Sequence, residues 1–285
     1  MPFEAFLMRA RPKSLVSTFH PRYPFAQDRG PAADRLVIPG APRYGHEPEL
    51  AHLIDLLLPD DGVFLDVGAD AGYFTIYVAS RPGFRGQVHA FEPVEASFAV
   101  LQELVTSLGC TQSVTGHRAA ASDRIGSVTI EVAEQPGHAH VTDKPVQHGQ
   151  TVPTLTLDSL RLERVDFLKV DVEGHESQVL RGAEALIAAH QPFVFLESWS
   201  SASQPERMFE PLQFLIDRGY RWFLPAWLQS DRSLRVGFGS DWEMEKVALL
   251  PFGLEDRMSF PGEQINVFAC PKSRISQLGA RWPGR

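Results

Sequence analysis

The chain is poor in cysteine, in long apolar runs and in excess positive charge, and each shortage excludes something. Cysteine occurs twice in 285 residues, at Cys110 and Cys270, far apart and in no CxxC pattern. That excludes a disulfide framework and a thiolate zinc site, and leaves two reduced, packed thiols in a cytoplasmic protein as the expectation. No apolar run is long enough to span a bilayer. The opening Met-Pro-Phe-Glu-Ala-Phe-Leu-Met-Arg is broken by Glu4, Arg9 and Arg11 and does not read as a secretion signal. Lys and Arg number 27 against 35 Asp and Glu, a formal charge of -8, so the chain is a poor general binder of polyanions and nucleic acid is not the default partner. Hydrophobic residues at 44% and charged residues at 22% are ordinary for a globular protein with a sizeable core.

Residues 1–45 are rich in Pro and Arg with little apolar periodicity, and read as an irregular N-terminal arm. Such an arm is free to cover a substrate cleft or to reach a second copy of the chain in a homo-oligomer. Leu50, Ile54, Leu57 and Leu58 recur at helical spacing, and Pro59-Asp60-Asp61-Gly62 ends that helix. Val63–Val67 is a short continuous apolar run, the pattern of a strand covered on both faces. A Gly-bearing turn at 68–72 leads into a helix near Tyr73. The rhythm repeats with a strand at Gln87–Glu92, a helix opened by Pro93 with Phe98, Leu101, Val105 and Leu108 as its stripe, and a strand at Val114–Ala120. Ser127–Val132 alternates as an antiparallel excursion, and 134–150 reads as a loop.

The second half gives a strand at Val165–Val172, a helix at Ser177–Ala189, a strand at Phe193–Leu196 and a helix at Pro205–Arg218. Tyr220–Leu224 and Ile265–Ala269 are the last strands. Strands alternating with helices predict an α/β fold: a doubly wound, mostly parallel seven-stranded sheet, Rossmann-like, with helices on both faces. The predicted domain runs 46–272, with an aromatic, irregular stretch at 225–262 as a lid or substrate-facing insertion and 273–285 as a solvated basic tail. Trp199, Trp222, Trp227 and Trp242 read mainly as packing. His138, His140 and His148 share one loop without the spacing of a metal site. In such sheets ligands bind outside the carboxyl ends of the strands, where the strand order reverses.

Asp66-Val-Gly68-Ala69-Asp70-Ala-Gly72 lies where the first strand hands over to the first helix. Glycines let the backbone turn tightly and approach a ligand, and the helix start offers free amides and partial positive charge. Glu92 closes the next strand, where an acid accepts the hydroxyls of a ribose. A pyrophosphate cradle usually spaces its glycines G-x-G-x-x-G. Here the spacing is G-x-x-x-G, with Asp66 before and Asp70 within the turn, and carboxylates repel a pyrophosphate. A sulfonium amino acid carries positive sulfur and ammonium and no phosphate, so the acidic turn favours S-adenosyl-L-methionine over NAD. Ser122 and Asp123 follow the third strand, beside the expected adenine, and read equally as a plain turn.

Four segments resemble the FkbM-type family of class I methyltransferases: Phe64–Thr75, Phe91-Glu-Pro93, Ala119–Gly126, and Leu157–Leu160 with Val165–Glu176 and Leu180–Ala183. Glu197 ends the next strand as the family's pattern does. The resemblance covers about 60–200, and one departure is visible, Asp70 where the family usually has Asn. What it implies is S-adenosylmethionine-dependent O-methylation of a hydroxyl on a sugar, glycan or natural-product-type small molecule, in a biosynthetic role.

An alcohol is a weak nucleophile and needs a base or a metal to help remove its proton. Asp171, Glu173, His175 and Glu197 gather at two neighbouring strand ends and are the candidate catalytic residues. Asp171 is also a candidate for the cofactor's ammonium. Asp171, Glu173 and Glu197 could hold Mg2+, which favours oxygen ligands, and His175 is the alternative base because its pKa suits neutral pH. Glu176 reads as an acid in the first turn of its helix, and Lys169 is given no role. The competing readings are an NAD-dependent oxidoreductase and a non-catalytic methyltransferase-like binding module. The second of these should have lost Asp66, Gly68, Gly72 and Glu92, all of which are present.

Overall fold

The computed structural model describes residues 15–18, 47–132, 139–141, 149–198, 205–236, 246–260 and 264–281. Its frame is an alternating chain: α1 (Pro48–Leu57), β2 (Val63–Val67), α2 (Tyr73–Ala79), β3 (Gln87–Phe91), α3 (Glu95–Ser107) and β4 (Val114–His117). After an excursion it resumes with β9 (Phe167–Val170), α4 (Glu176–Arg181), α5 (Glu184–His190), β10 (Phe193–Ser198), α6 (Pro205–Asp217), β11 (Tyr220–Leu228) and β14 (Ile265–Pro271). The strands lie in the order β11-β14-β10-β9-β2-β3-β4. β10, β9, β2, β3 and β4 pair in parallel, and β14 runs antiparallel between β10 and β11. The order reverses between β2 and β9.

The predicted seven strands are therefore present, but the sheet is wider. β13 (Lys246–Phe252) adds to β11, β1 (Leu15–Thr18) adds to β13, and β12 (Leu234–Arg235) pairs with β11 off this path, giving a ten-stranded sheet. Two expectations change with it. The arm contributes a strand at Leu15–Thr18, and the described part of 225–262, expected to be irregular, carries the end of β11, β12, β13 and α7 (Leu254–Arg257). The apolar run Val247-Ala-Leu-Leu250 is buried between neighbours on both sides. Its pattern is that of a covered strand, which the surrounding Trp and Pro residues obscure.

Two apolar layers cover the two faces. One packs Val179 and Leu180 of α4, Ile187 of α5 and Leu212 and Leu215 of α6 against Leu65, Val67, Leu168 and Val170. The other packs α1, α2, α3 and α8 (Ile275–Arg281) against Phe64, Phe167, Phe193 and Phe268. Those phenylalanines form a row across the strands, with ring centroids 5.8, 6.4 and 5.8 Å apart in that order, and Phe223 continues it at 6.3 Å. Such a row needs every member on the same face, which strand alternation provides. Trp222 and Trp227 are buried, Cys110 and Cys270 are buried thiols in no disulfide, and Trp199, Trp242, His138 and His148 lie outside the described residues.

Three local expectations are corrected. The helix expected at Ser177–Ala189 is two helices, parted at Gly182-Ala183. A Cβ on Gly182 would lie 1.9 Å from Ser122 O, so only glycine lets the chain between the two helices pass this close to Ser122. The strand expected through Ala120 is split into β4 and β5 (Ala120–Ala121). The loop expected at 134–150 includes β7 (Ala139–Val141) and the start of β8 (Gly149–Leu155), which with β5 and β6 (Gly126–Val132) make a four-stranded sheet. Pro153 hid β8, yet β5 borders only Thr154 and Leu155, and at such an edge a residue without an N–H is tolerated. The basic tail is also not simply solvated: the Arg274 guanidinium stacks 3.9 Å over Phe193 and reaches Gln191 O at 3.2 Å. Pro93 precedes α3 by two residues, within the usual spread of helix boundaries. No helix among the described residues is long and apolar enough to cross a membrane.

Candidate active site

The face that carries the phenylalanine row deep in the sheet becomes charged at the carboxyl ends. Side chains two residues apart along a strand share a face. Phe64 is thus followed by Asp66, Phe167 by Lys169 and Asp171, and Phe193 and Phe195 by Glu197. On the antiparallel β14, Phe268 is preceded by Asn266, which sits opposite Glu197. Asp66 sits opposite Lys169. The site is the continuation of the core's own alternation past the end of the apolar layer.

Gly68 and Gly72 both adopt positive φ, 77° and 92°. A Cβ on Gly68 would fall 1.7 Å from Asp171 O, so only glycine lets the turn lie against the end of β9. The Gly68 and Ala69 amides donate to Phe91 O, both at 3.0 Å, which ties the turn to β3. Asp70, also at positive φ, donates its amide to Glu92 Oε2 at 2.9 Å, and its own Oδ1 accepts from Ser97 Oγ at 2.7 Å. Glu92 Oε1 accepts from the Val94 amide at 2.7 Å. Burial pushes the Glu92 carboxyl up to about 7 against the pull of these amides. Asp66 is fully buried and accepts from Thr75 Oγ1 at 2.7 Å, so it anchors the start of α2.

Lys169 is the residue that inspection of the sequence passed over. Its ammonium is buried, donates to Gly68 O at 2.8 Å, and lies 3.4 Å from Asp66 Oδ1 and 3.3 Å from Asp171 Oδ2. Burial opposes its charge, but Asp171 and Asp66 outweigh it and hold the pKa above the ordinary lysine value. The signal was there: Phe167-x-Lys169-x-Asp171 in a strand puts all three on one face.

Asp171, Glu173 and Glu197 converge, one carboxylate oxygen from each lying within 4.8 Å of the others. Glu173 and Gly174 both have positive φ, 53° and 93°, and this turn carries the acid from β9 towards α4. Burial, and after it the neighbouring Asp171, push the Glu197 carboxyl above the ordinary carboxylate range. His175 is not in that group. It is buried at the N-cap of α4, with Nε2 3.0 Å from Ser122 Oγ, and Ser122 Oγ is also 3.4 Å from Asp123 Oδ1. Glu176 starts α4 and accepts from the Gly174 amide at 2.8 Å. Two further acids join from the start of α1: Glu47 and Glu49 both accept from Asn266 Nδ2. Beside Glu197 opens a cleft of about 260 Å³ whose polar walls are Glu49, Glu197, Gln264 and Asn266. Pro225, Val236 and Ile265 supply its apolar surface.

Strand order, the glycine turn at the reversal point and an acid closing the neighbouring strand together define a class I methyltransferase fold. The profile of the methyltransferase FkbM domain matches residues 66–222, more than half of the chain, and the protein belongs to this family. "Methyltransferase 1" of Beauveria bassiana is 30% identical over 151 residues, 44% of this chain and 60% of that protein. The AMB antimetabolite synthetase AmbE of Pseudomonas aeruginosa is 28% identical over 182 residues, 50% of this chain and 8% of that protein. The chain thus spans less than two thirds of either relative. Among solved structures, the FkbM methyltransferase of Methylobacillus flagellatus KT has a TM-score of 0.46 and 18% identity, covering 67% of this chain and 44% of that one.

Proposed function

We propose that the protein is an S-adenosyl-L-methionine-dependent O-methyltransferase acting on a hydroxyl of a sugar, glycan or natural-product-type small molecule. The observation that carries this reading is the meeting, at the switch between β2 and β9, of a glycine turn ringed by acids with a carboxylate group that opens onto a cleft. The fit to the cofactor rests on the donor set. Gly68, Ala69, Asp70 and Gly72 form the turn that would cradle it, Glu92 would accept its ribose hydroxyls, Ser122 and Asp123 would face its adenine, and Asp171 would receive its ammonium. Asp66, fully buried against Thr75 and Lys169, supports the turn from beneath rather than facing the ligand, whereas Asp70, Glu92 and Asp171 suit a cationic ligand better than a pyrophosphate, which disfavours NAD. When bound, the cofactor supplies an electrophilic methyl group on a positive sulfur.

The chain's own part is to position the acceptor and accept its proton. Glu197 lies both in the cleft wall and in the carboxylate group, and burial raises its affinity for a proton, so its ionised form would serve as the base for a hydroxyl seated there. His175, joined to Ser122, is a support for the adenine end in this reading rather than the base. The three carboxylate oxygens also fit a hard divalent cation such as Mg2+, which Asp171, Glu173 and Glu197 would hold and which would favour the ionised hydroxyl. Lys169, 3.3 Å from Asp171, already balances part of that charge.

The test is calorimetric titration with S-adenosylmethionine, its demethylated product and NAD, with Glu92→Ala beside the parent chain. Saturable binding of the sulfonium cofactor, weakened in the variant, supports the reading. Binding of NAD instead, or of neither, overturns it. Methyl transfer assayed with EDTA and with added Mg2+ then separates the carboxylate and metal mechanisms.

A further inference from the structure

We infer that the cleft beside Glu197 is the acceptor site, that it takes one ring-sized unit rich in hydrogen-bond donors and free of negative charge, and that Asn266 is the positioning residue that holds its acidic wall in place. This rests on the methyl-transfer reading and narrows it. The first ground is size. A volume of about 260 Å³ lies below the ~300–1,000 Å³ of pockets that enclose a whole drug-sized ligand. It matches a single ring, with the remainder of any larger acceptor outside.

The second ground is the chemistry of the wall. Glu49 and Glu197 offer acceptor oxygens to the cleft, and the carboxyl groups of Glu47, Asp171 and Glu173 stand beside them. The amide NH2 groups that could serve an anion are directed at carboxylates: Asn266 donates to Glu47 and Glu49, and Gln264 donates to Glu197. What faces the cleft is therefore matched to hydroxyl or ammonium donors, and a carboxylate or phosphate there meets carboxyl oxygens in place of donors. Pro225, Val236 and Ile265 give the apolar face on which a ring can lie.

The third ground is how the wall is assembled. Glu47 caps α1 with φ 42° and ψ 64°, a left-handed conformation that a residue with a side chain adopts at a cost. Asn266 ties this strained start, and Glu49 with it, to the strand position opposite Glu197. Of the residues lining the cleft, only Glu197 falls within 66–222, so the acceptor wall is built from the parts of the chain that the family's shared domain does not include.

The experiment uses the full chain saturated with S-adenosylhomocysteine and ligand-observed saturation-transfer NMR. Methyl glucopyranoside is the neutral probe, glucosamine the cationic probe and glucuronate the anionic probe. Expected is binding of the first two, with glucuronate weaker by about tenfold or more. Asn266→Leu should abolish or sharply weaken sugar binding while the affinity for S-adenosylhomocysteine stays within about twofold. The isosteric Glu49→Gln, which leaves the packing in place, should narrow the gap between glucuronate and the neutral sugar. Equal binding of all three probes, binding of none while S-adenosylhomocysteine binds, or unchanged preference in both variants overturns the inference. If S-adenosylhomocysteine itself fails to bind, the methyl-transfer reading falls, and the same sugar panel on the chain alone decides the cleft.

Discussion

Replacing Lys169 by Met tests whether the buried ammonium is what allows Asp66 and Asp171 to sit side by side. Methionine keeps the length and apolar stem but removes a hydrogen bond of 2.8 Å to Gly68 O and two ion pairs of 3.4 and 3.3 Å. Asp66 is fully buried and Asp171 is mostly so, so solvent screens little of the loss. Removing one partner of a buried charge group costs about 3–5 kcal/mol because the charge left behind is uncompensated. Urea denaturation of the parent and of Lys169→Met at pH 7 should differ by that amount. The sign with pH follows from linkage. Lys169 has a folded pKa raised above its unfolded value, so its stabilisation is complete below about 10.5 and constant across pH 5–9 in the parent. In the variant the penalty falls on ionised carboxylates, so it fades as pH drops towards the ordinary carboxylate range near about 4. A difference under about 1 kcal/mol at pH 7, or one that does not shrink between pH 7 and 5, refutes the reasoning.

Glu92 gives a proton-linked binding prediction. Its carboxyl is raised to about 7 by burial, and ribose hydroxyls favour the ionised form, so cofactor affinity should level off above pH 7 and fall by up to about tenfold per pH unit below it. Calorimetry in buffers of different ionisation enthalpy should show proton release near pH 7, absent in Glu92→Gln. Gly182→Ala places a Cβ 1.9 Å from Ser122 O and should displace the loop that holds Ser122 and Asp123. The expected result is a lowered melting temperature with weaker binding of adenosine-bearing ligands, and parental behaviour in both refutes it. Arg257, fully buried, donates to Ser198 Oγ at 2.9 Å, Ser198 O at 3.0 Å and Phe260 O at 2.7 Å. Arg257→Met should cost about 2–4 kcal/mol in urea denaturation with cofactor affinity little changed, since the contacts lie beyond Glu197 on β10.

Local chemistry made the glycine turn and the acids around it legible. A short apolar run, glycines at fixed offsets and an acid closing the next strand each act within a few residues, and they are read wherever strand meets helix. Asp66, Gly68, Gly72 and Glu92 could be located because the turn itself needs them. Segments whose partners are distant were misread. β8 contains Pro153 and β13 lies among Trp and Pro, and each is a strand only because a neighbour is there to pair with it. Between the two helices that follow Glu176, Gly182 lies against Ser122, on a different loop, where a side chain would not fit.

The sequence by itself determined the βα alternation, the glycine turn and the acids at the strand ends, because these follow from periodicity and from the backbone's own limits. Only the tertiary structure decided that Lys169 sits between Asp66 and Asp171, that His175 faces Ser122, and that Glu47 and Glu49 meet Asn266 from the other end of the chain. Those contacts join residues far apart in sequence. They exist because parallel strands bring their carboxyl ends to one edge of the sheet, and an antiparallel strand delivers Asn266 to that edge from the opposite direction.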